Sequence, residues 1–202
     1  MVEKNHIEHE LKLCLSEADY LKLCEYLVVN GSLVKIHEQR NVYLETEDRY
    51  FAKNREMLRL RETESFWTLT HKSRIQVNNG EFSSQESEID FGVFEGTITE
   101  LLKKVQVTKP WDKLKSIKIQ GELLNTRHEF EWGKFTLELD RSQFSDYRVD
   151  FELECETSDF QLLRSRLTHL FDNLKIPWEP QESSKYKRFL ETVDSSYTSS
   201  IP

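Results

Sequence analysis

Charged residues alternate with apolar residues along several stretches of this chain. In the first stretch, residues 7–13, Glu8, Glu10 and Lys12 occupy every second position. Side chains two residues apart lie on the same face of a β-strand, so this spacing predicts one charged face and one face that carries Leu11 and Leu13. The same alternation returns in later stretches, at Arg59 and Arg61, at Glu138 and Asp140, and at Glu152, Glu154 and Glu156. The fold therefore has to accommodate strands with one face rich in charge of both signs.

The order of the predicted elements favours an α+β fold with an antiparallel sheet or barrel. Apolar spacing and N-cap patterns predict helices from Ser16 to Asn30, from Thr97, from Ser158 with Gln161 as its capping partner, and over residues 184–192. Residues 47–54 are expected to form a polar turn or one helical turn. These helices do not alternate regularly with strands, as they would in a parallel sheet. Eight or nine strands are predicted, at residues 5–14, 33–46, 56–63, 66–73, 82–91, 115–124, 126–132, 134–140 and 147–157.

Composition limits the class of protein. The formal net charge of −8 argues against sequence-independent binding to nucleic acid or acidic lipid, which needs an extended basic surface. No apolar run reaches the roughly 20 residues of a membrane span, and the amino terminus has no signal segment, so we expect a soluble cytoplasmic protein without membrane contacts. No linker rich in Pro, Gly or Ser divides the chain. We therefore expect a single domain over residues 1–193 and a disordered tail over residues 194–202, in a monomer or a homodimer.

For any one charged strand face, exposure to water is the first interpretation. Several such faces in one chain favour another, because like charges on one face repel unless opposite charge is supplied. A divalent cation such as Mg²⁺ or Mn²⁺ would supply it and would take further oxygens from a phosphate group. Arg59 and Arg61 offer planar guanidinium groups that match phosphate oxygens. Strands closed into a barrel could hold these charges inside and keep their apolar faces outside, covered by helices.

These residues resemble the pattern of a known family, the triphosphate tunnel metalloenzymes or CYTH superfamily. The family's ExExK motif corresponds to Glu8, Glu10 and Lys12. Two departures are mild: Glu45 stands where an aspartate is commoner, and His71 precedes the lysine where an apolar residue is usual. The match continues in the expected order along nearly the whole chain, through residues 39–46 (QRNVYLET), 58–61 (LRLR), 67–72 (WTLTHK), Glu86 and Glu88, Arg127, 138–140 (ELD), 151–156 (FELECE) and 184–186 (SKY).

The resemblance implies an eight-stranded antiparallel β-barrel that forms a tunnel, with helices packed outside it and a C-terminal helix near one mouth. The interior would bind a small-molecule triphosphate together with Mg²⁺ or Mn²⁺. The implied phosphate ligands are Lys12, Arg40, Arg59, Arg61, Lys72, Arg127 and Lys185. The implied metal ligands are Glu8, Glu10, Asp140, Glu152, Glu154 and Glu156, with the choice among the last three glutamates left open. Lys12, Glu10 and Glu154 form the implied catalytic set.

The implied reaction is metal-dependent hydrolysis of a triphosphate, with inorganic tripolyphosphate, cleaved to phosphate and diphosphate, as the first candidate. Three alternatives stay open: a thiamine triphosphatase, a class IV adenylate cyclase that uses the same tunnel, and a non-catalytic polyphosphate- or nucleotide-binding protein. An aromatic side chain that stacks on an organic group would favour the first two alternatives. Trp67, Phe51 and Tyr50 are the candidates, although such side chains are more often part of a core.

Overall fold

A computed structural model describes residues 3–108 and 117–193 of the chain. Its eight strands pair antiparallel in the closed order β1-β5-β4-β3-β2-β6-β7-β8, which confirms the predicted barrel. The tail predicted at residues 194–202 lies outside the described residues. The strands are β1 (Glu3–Leu15), β2 (Ser32–Thr46), β3 (Met57–Thr63), β4 (Phe66–Asn78), β5 (Glu81–Val93), β6 (Ile117–Trp132), β7 (Phe135–Gln143) and β8 (Val149–Glu156).

The helices begin close to the predicted cap residues. Helix α1 is capped by Ser16, and the Thr97–Glu100 capping box precedes α3. Helix α4 is capped by Asp159 rather than Ser158, because the Asp159 carboxylate accepts a hydrogen bond from the Leu162 N–H at 3.1 Å. None of the described helices is long and apolar enough to cross a membrane. The helices are α1 (Glu17–Asn30), α2 (Tyr50–Lys53), α3 (Ile98–Thr108), α4 (Phe160–Leu174) and α5 (Lys185–Val193).

Strand β6 runs without a break where the sequence predicts two strands, 115–124 and 126–132. Asn125, the residue between the two predicted strands, lies inside the barrel and is buried. Its amide group donates to the Gln39 Oε1 atom at 3.1 Å and accepts from the Ser142 hydroxyl at 2.8 Å. These bonds satisfy the amide within the strand, so asparagine here does not mark a turn.

Two apolar layers cover the outside of the barrel. Helices α1 and α4 pack on the outer faces of β1, β6, β7 and β8, with Leu23, Leu167 and Phe171 buried between them. Helix α3 and the short α2 cover β2 to β5, with Leu101 and Phe51 buried. Apolar burial on this scale is the main stabilising term of the fold, at about 25 cal/mol per Å². The charged strand faces are therefore left to line the interior.

Helix α5 lies across one end of the barrel. Its Phe189 and Leu190 side chains pack against Tyr43 and Leu123, which face the interior from β2 and β6. Gly121 permits this approach, because a Cβ atom there would lie 2.8 Å from the Phe189 ring. The C-terminal helix predicted near one mouth is thus present and closes that mouth.

Candidate functional site

The barrel encloses a charged cavity of about 890 Å³, including solvent at its opening. Every strand except β2 contributes a charged side chain to the lining, because the inward positions of each strand are the charged positions of the alternating pattern. The acidic lining residues are Glu8, Glu10, Glu86, Glu138, Glu154 and Glu156, and the basic ones are Lys12, Arg59, Arg61, Lys72, Arg127 and Lys185. The structure thus brings together most of the residues that the sequence predicts.

Asp140, Glu152 and Glu154 form an acidic cluster on neighbouring strands β7 and β8. One carboxylate oxygen from each lies within 4.8 Å of the others, and all three residues are buried. Backbone register explains the proximity, because Asp140 is paired directly with Glu152. Three converging carboxylate oxygens are the ligand type that Mg²⁺ and Mn²⁺ prefer, so these side chains fit a divalent cation.

Lys185, the first residue of α5, reaches from the closed mouth into this acidic cluster. Its Nζ atom lies 2.6 Å from Oδ2 of Asp140 and 2.7 Å from Oε1 of Glu154, and it also pairs with Glu152. Burial disfavours its charge, but the carboxylates outweigh this and raise the pKa of Lys185. The ammonium group is therefore charged and held at the centre of the cluster.

Lys12 joins the first strand to the last. Its Nζ atom lies 3.0 Å from Glu10 and 2.7 Å from Glu154. Although burial favours the neutral carboxyl, Lys12 and Lys185 hold the pKa of Glu154 well below its ordinary value. Glu10 differs, because burial outweighs the pull of Lys12 and raises its pKa to about 7. The two carboxylates that share one lysine thus have very different proton affinities.

Glu8 lies with Lys72 and Glu86 on the β1, β4 and β5 side of the cavity. Lys72 pairs with Glu8 and lies 2.8 Å from Glu86. Burial alone would raise the pKa of Glu8, but Lys72 and Lys12 lower it to about 2. Glu8 is therefore ionised over the physiological pH range.

Arg59 and Arg61 lie on β3, four strands from β8 in either direction around the eight-stranded barrel, and so face the acidic cluster across the cavity. Arg61 donates to the Asn41 Oδ1 atom at 2.9 Å, and Arg59 donates to the Thr70 hydroxyl at 3.4 Å. Within the described residues neither arginine pairs with a carboxylate, and the buried Nε atom of Arg59 has no partner. Burial and the nearby Arg59 lower the pKa of Arg61 to about 10. This wall offers cationic donors to an anion.

Arg127 on β6 is engaged differently from the β3 arginines. Its guanidinium donates to both oxygens of Asp140, at 2.7 and 2.6 Å, to Glu154 at 2.5 Å, and to Glu138. It is predicted as a phosphate ligand, yet here it orders the carboxylates of β7 and β8. Any phosphate contact by Arg127 would be additional to these bonds.

Arg40 is the one predicted phosphate ligand that the structure does not bring to the cavity. It shares the outer face of β2 with Val42 and Leu44, which pack in the apolar layer. Its guanidinium forms a bidentate pair with Glu122, at 2.8 and 2.7 Å. Strand parity is the reason: the inward residues of β2 are Asn41 and its second neighbours, so an arginine at position 40 points outward. Assigning Arg40 to the phosphate ligands is corrected accordingly.

The predicted metal ligands of β8 also separate. Glu152 and Glu154 are buried in the acidic cluster, whereas Glu156 lies at the cavity rim and is exposed. Three charged residues at the candidate site are absent from the predicted ligand sets: Glu86 beside Lys72, Glu138 beside Arg127, and Arg188, which donates to Glu152 at 2.9 Å. Strand alternation could have identified Glu138, which precedes the assigned Asp140 by two, and register pairing with the assigned Lys72 is what places Glu86. Arg188 has a weaker signal, its helical i+3 spacing from Lys185.

Comparisons with known proteins agree with this geometry. The family model of the CYTH domain matches residues 6–189. A Bacillus subtilis (strain 168) protein provisionally named triphosphatase YjbK is 27% identical over 189 residues, covering 92% of this chain and 95% of that protein.

Two solved structures share the fold. A provisionally named adenylyl cyclase from Hippeastrum, described as having a dominant triphosphatase activity, superposes with a TM-score of 0.78 at 24% identity, covering 92% of this chain and 96% of its own. A provisionally named adenylate cyclase from Bacillus halodurans superposes with a TM-score of 0.65 at 23% identity, covering 92% of this chain and 98% of its own.

Proposed function

Because this chain belongs to the CYTH domain family, and its barrel holds an arginine wall opposite an acidic cluster, we propose that it is a metal-dependent triphosphatase. The observation that carries the proposal is the separation of charge across one cavity. A triphosphate with a bound divalent cation carries negative oxygens on one side and a cation on the other. Arg59 and Arg61 line the cavity and would hold the oxygens, while Glu154 lines it next to the buried Asp140 and Glu152, and these three would hold the cation.

Different side chains of the site would bind the phosphate oxygens, hold the metal and contact the reacting phosphoryl group. Arg59 and Arg61 bind phosphate oxygens and hold the triphosphate chain along the cavity. Asp140, Glu152 and Glu154, together with Glu8 and Glu10, supply oxygen ligands for Mg²⁺ or Mn²⁺. An ion held there would neutralise phosphate charge and would polarise the phosphoryl group. Lys12, between Glu10 and Glu154, is placed to contact a phosphate oxygen next to the reacting bond.

Glu10 is the proposed group that orients the attacking water. Its carboxylate lines the cavity beside Lys12, 3.0 Å from the Nζ atom. Glu8 and Glu154 have lowered pKa values and remain ionised, so they suit a purely electrostatic role. Most of the rate acceleration would come from positioning and from these fixed charges.

Inorganic tripolyphosphate is the proposed substrate because, among residues 3–108 and 117–193, the cavity offers no open aromatic face to an organic group. Trp67 and Phe51 are buried in the outer apolar layer, and Tyr50 packs beside them. The described aromatic residues that line the cavity are Phe82, which lies under the Lys12 ammonium, and the pair Tyr43 and Tyr186, whose rings contact each other at a 42° tilt where α5 closes the mouth.

The test is turnover of tripolyphosphate, thiamine triphosphate and ATP by the purified full chain with Mg²⁺ or Mn²⁺. We expect phosphate release from tripolyphosphate to be fastest and Glu10→Gln to abolish it. Glu131→Gln, a change of an exposed glutamate on β6, is the matched control and should retain full activity. Preference for thiamine triphosphate, or cyclic AMP from ATP, would replace the substrate assignment. Tight binding without any product under either metal would make the protein a non-catalytic binder.

A further inference from the structure

A lysine occupies the acidic cluster that fits a divalent cation. The Lys185 ammonium contacts all three of Asp140, Glu152 and Glu154, and its side chain is only 12% exposed. The other cations in the described residues reach fewer members: Arg127 contacts Asp140 and Glu154, Lys12 contacts Glu154, and Arg188 contacts Glu152. Lys185 is therefore the cation most centrally placed among the three carboxylates.

Two cations cannot share this position. The three carboxylate oxygens lie within 4.8 Å of one another, and the Lys185 Nζ atom is 2.6 to 2.7 Å from two of these side chains. A divalent ion bound by the same oxygens sits about 2.0 to 2.2 Å from each, which would bring it within van der Waals contact of the ammonium. Repulsion between the ion and the ammonium would then be strong, because both are shielded from water.

The position of Lys185 on α5 allows its ammonium group to move out of the acidic cluster. It is the first residue of α5, at the end of a helix whose anchors are Phe189, Leu190 and Arg188 further along. Its four-carbon side chain can therefore change rotamer without moving the helix. The cavity beyond the acidic cluster, toward Arg59 and Arg61, gives the ammonium a place to go.

We propose that Lys185 is a built-in counter-ion of the Asp140–Glu152–Glu154 cluster, which a divalent cation displaces toward the bound phosphate. This rests on the proposed metal-dependent function and adds a mechanism to it. Without metal, the lysine neutralises the acidic cluster and stabilises the fold. With metal, the same ammonium is released as a phosphate ligand, so that the two binding events favour each other.

The test is Mn²⁺ binding to the full chain, measured without substrate by electron paramagnetic resonance or calorimetry. Lys185→Gln should bind Mn²⁺ more tightly than the wild type, by about tenfold or more, because no ammonium has to be displaced. Lys187→Gln makes the same change two residues away on α5, at a side chain with no ion pair among the described residues, and should leave the affinity unchanged. Unchanged or weaker Mn²⁺ binding by Lys185→Gln would overturn the proposal.

Two further measurements protect the test against a variant that fails to fold. Lys185→Arg keeps the charge and should keep the weak Mn²⁺ affinity of the wild type. In the wild type, nuclear magnetic resonance of lysine ammonium groups should show one that is protected from exchange and loses protection when Mg²⁺ is added. Protection that persists at saturating Mg²⁺ would contradict displacement.

Failure of the proposed function is a separate result. A protein that turns over no triphosphate but shows Mn²⁺ binding strengthened by Lys185→Gln would lose the triphosphatase assignment and keep the counter-ion. An active enzyme whose Mn²⁺ affinity is unchanged by Lys185→Gln would keep the triphosphatase assignment and lose the counter-ion.

Discussion

The Nζ atom of Lys12 lies 2.7 Å from the Oε1 atom of Glu154, across the strand pair that closes the barrel. Lys12 and Glu154 are direct register partners on β1 and β8, and both are buried. Loss of either partner leaves the other charge in a cavity of low dielectric constant, which costs more than an exposed pair would. This one contact therefore connects the stability of the barrel to the chemistry of its interior.

We expect Lys12→Met to destabilise the metal-free protein by about 3 kcal/mol, because Glu10 and Glu154 lose their shared counter-ion. Equilibrium unfolding in urea measures the change. Lys4→Met is the matched control on the same strand, since Lys4 forms an exposed pair with Asp90 at 3.5 Å and should cost below about 0.5 kcal/mol. An equal decrease in the free energy of unfolding for the two variants would show that the buried contacts of Lys12 add no more stability than an exposed ion pair.

Arg59→Gln should lower kcat/KM for the triphosphate by roughly 100-fold, because a buried guanidinium with an unpartnered Nε atom is lost from the phosphate side of the cavity. Arg40→Gln is the informative comparison. Arg40 points away from the cavity and pairs with Glu122, so its removal should change kcat/KM by less than about twofold. Similar losses in steady-state kinetics for both variants would return Arg40 to the phosphate ligands.

Glu10 and Glu8 should give opposite dependences of stability on pH. Burial raises the pKa of Glu10 from 4.5 to about 7, so its contribution is fully present below pH 4.5 and is lost as the pH rises through 7. Glu10→Gln should therefore stabilise the metal-free protein at pH 8, by at most about 3 kcal/mol, and the gain should vanish near pH 4.5.

For Glu8 the sign reverses. Burial would raise its pKa, but Lys72 and Lys12 lower it from 4.5 to about 2, so its contribution is present above pH 4.5 and is lost as the pH falls through 2. Glu8→Gln should destabilise the protein at pH 8 and at pH 5. Thermal unfolding of both variants across this range checks the pair of signs, and parallel curves would contradict the assigned charge states.

Glu45 connects the short helix α2 to α5, and Glu45→Ala should destabilise the fold by about 3 kcal/mol. This buried carboxylate accepts hydrogen bonds from the N–H groups of Phe51 and Ala52, at 3.0 and 2.9 Å, and from the Tyr186 hydroxyl at 3.2 Å. Its removal leaves buried donors unsatisfied. Glu47→Ala removes only an exposed pair with Lys118 and should have little effect on the unfolding midpoint.

Strand periodicity predicted the inward residues of the site well. Side chains two residues apart in a strand lie on the same face, so one inward residue fixes the others of that strand. Glu8, Glu10 and Lys12 face the cavity as the spacing requires, and so do Arg59 and Arg61. The same rule, applied to Arg40, would have excluded it, since Arg40 and Asn41 cannot share a face. A match to the family motif does not by itself say on which strand face a residue lies.

Other features depend on contacts between distant parts of the chain, which local sequence does not encode. Within the continuous β6, Asn125 donates a hydrogen bond to Gln39 and accepts one from Ser142, and the local sequence around Asn125 cannot reveal these contacts. The position of Lys185 inside the acidic cluster depends on how α5 seats against Tyr43 and Leu123. The family resemblance pointed to the lysine, and only tertiary packing shows which carboxylates it contacts.

The placement of β1 in the barrel also sets the order in which the protein can be completed. Its two neighbours, β5 and β8, begin at residues 81 and 149, so its second edge stays unpaired until almost the whole chain has been synthesised. Pairing over such a sequence separation makes folding slow and leaves an edge open to other chains in the meantime. A nascent chain that stops before β8 thus has an open sheet in place of an interior. The site is therefore the last part of the barrel to be assembled.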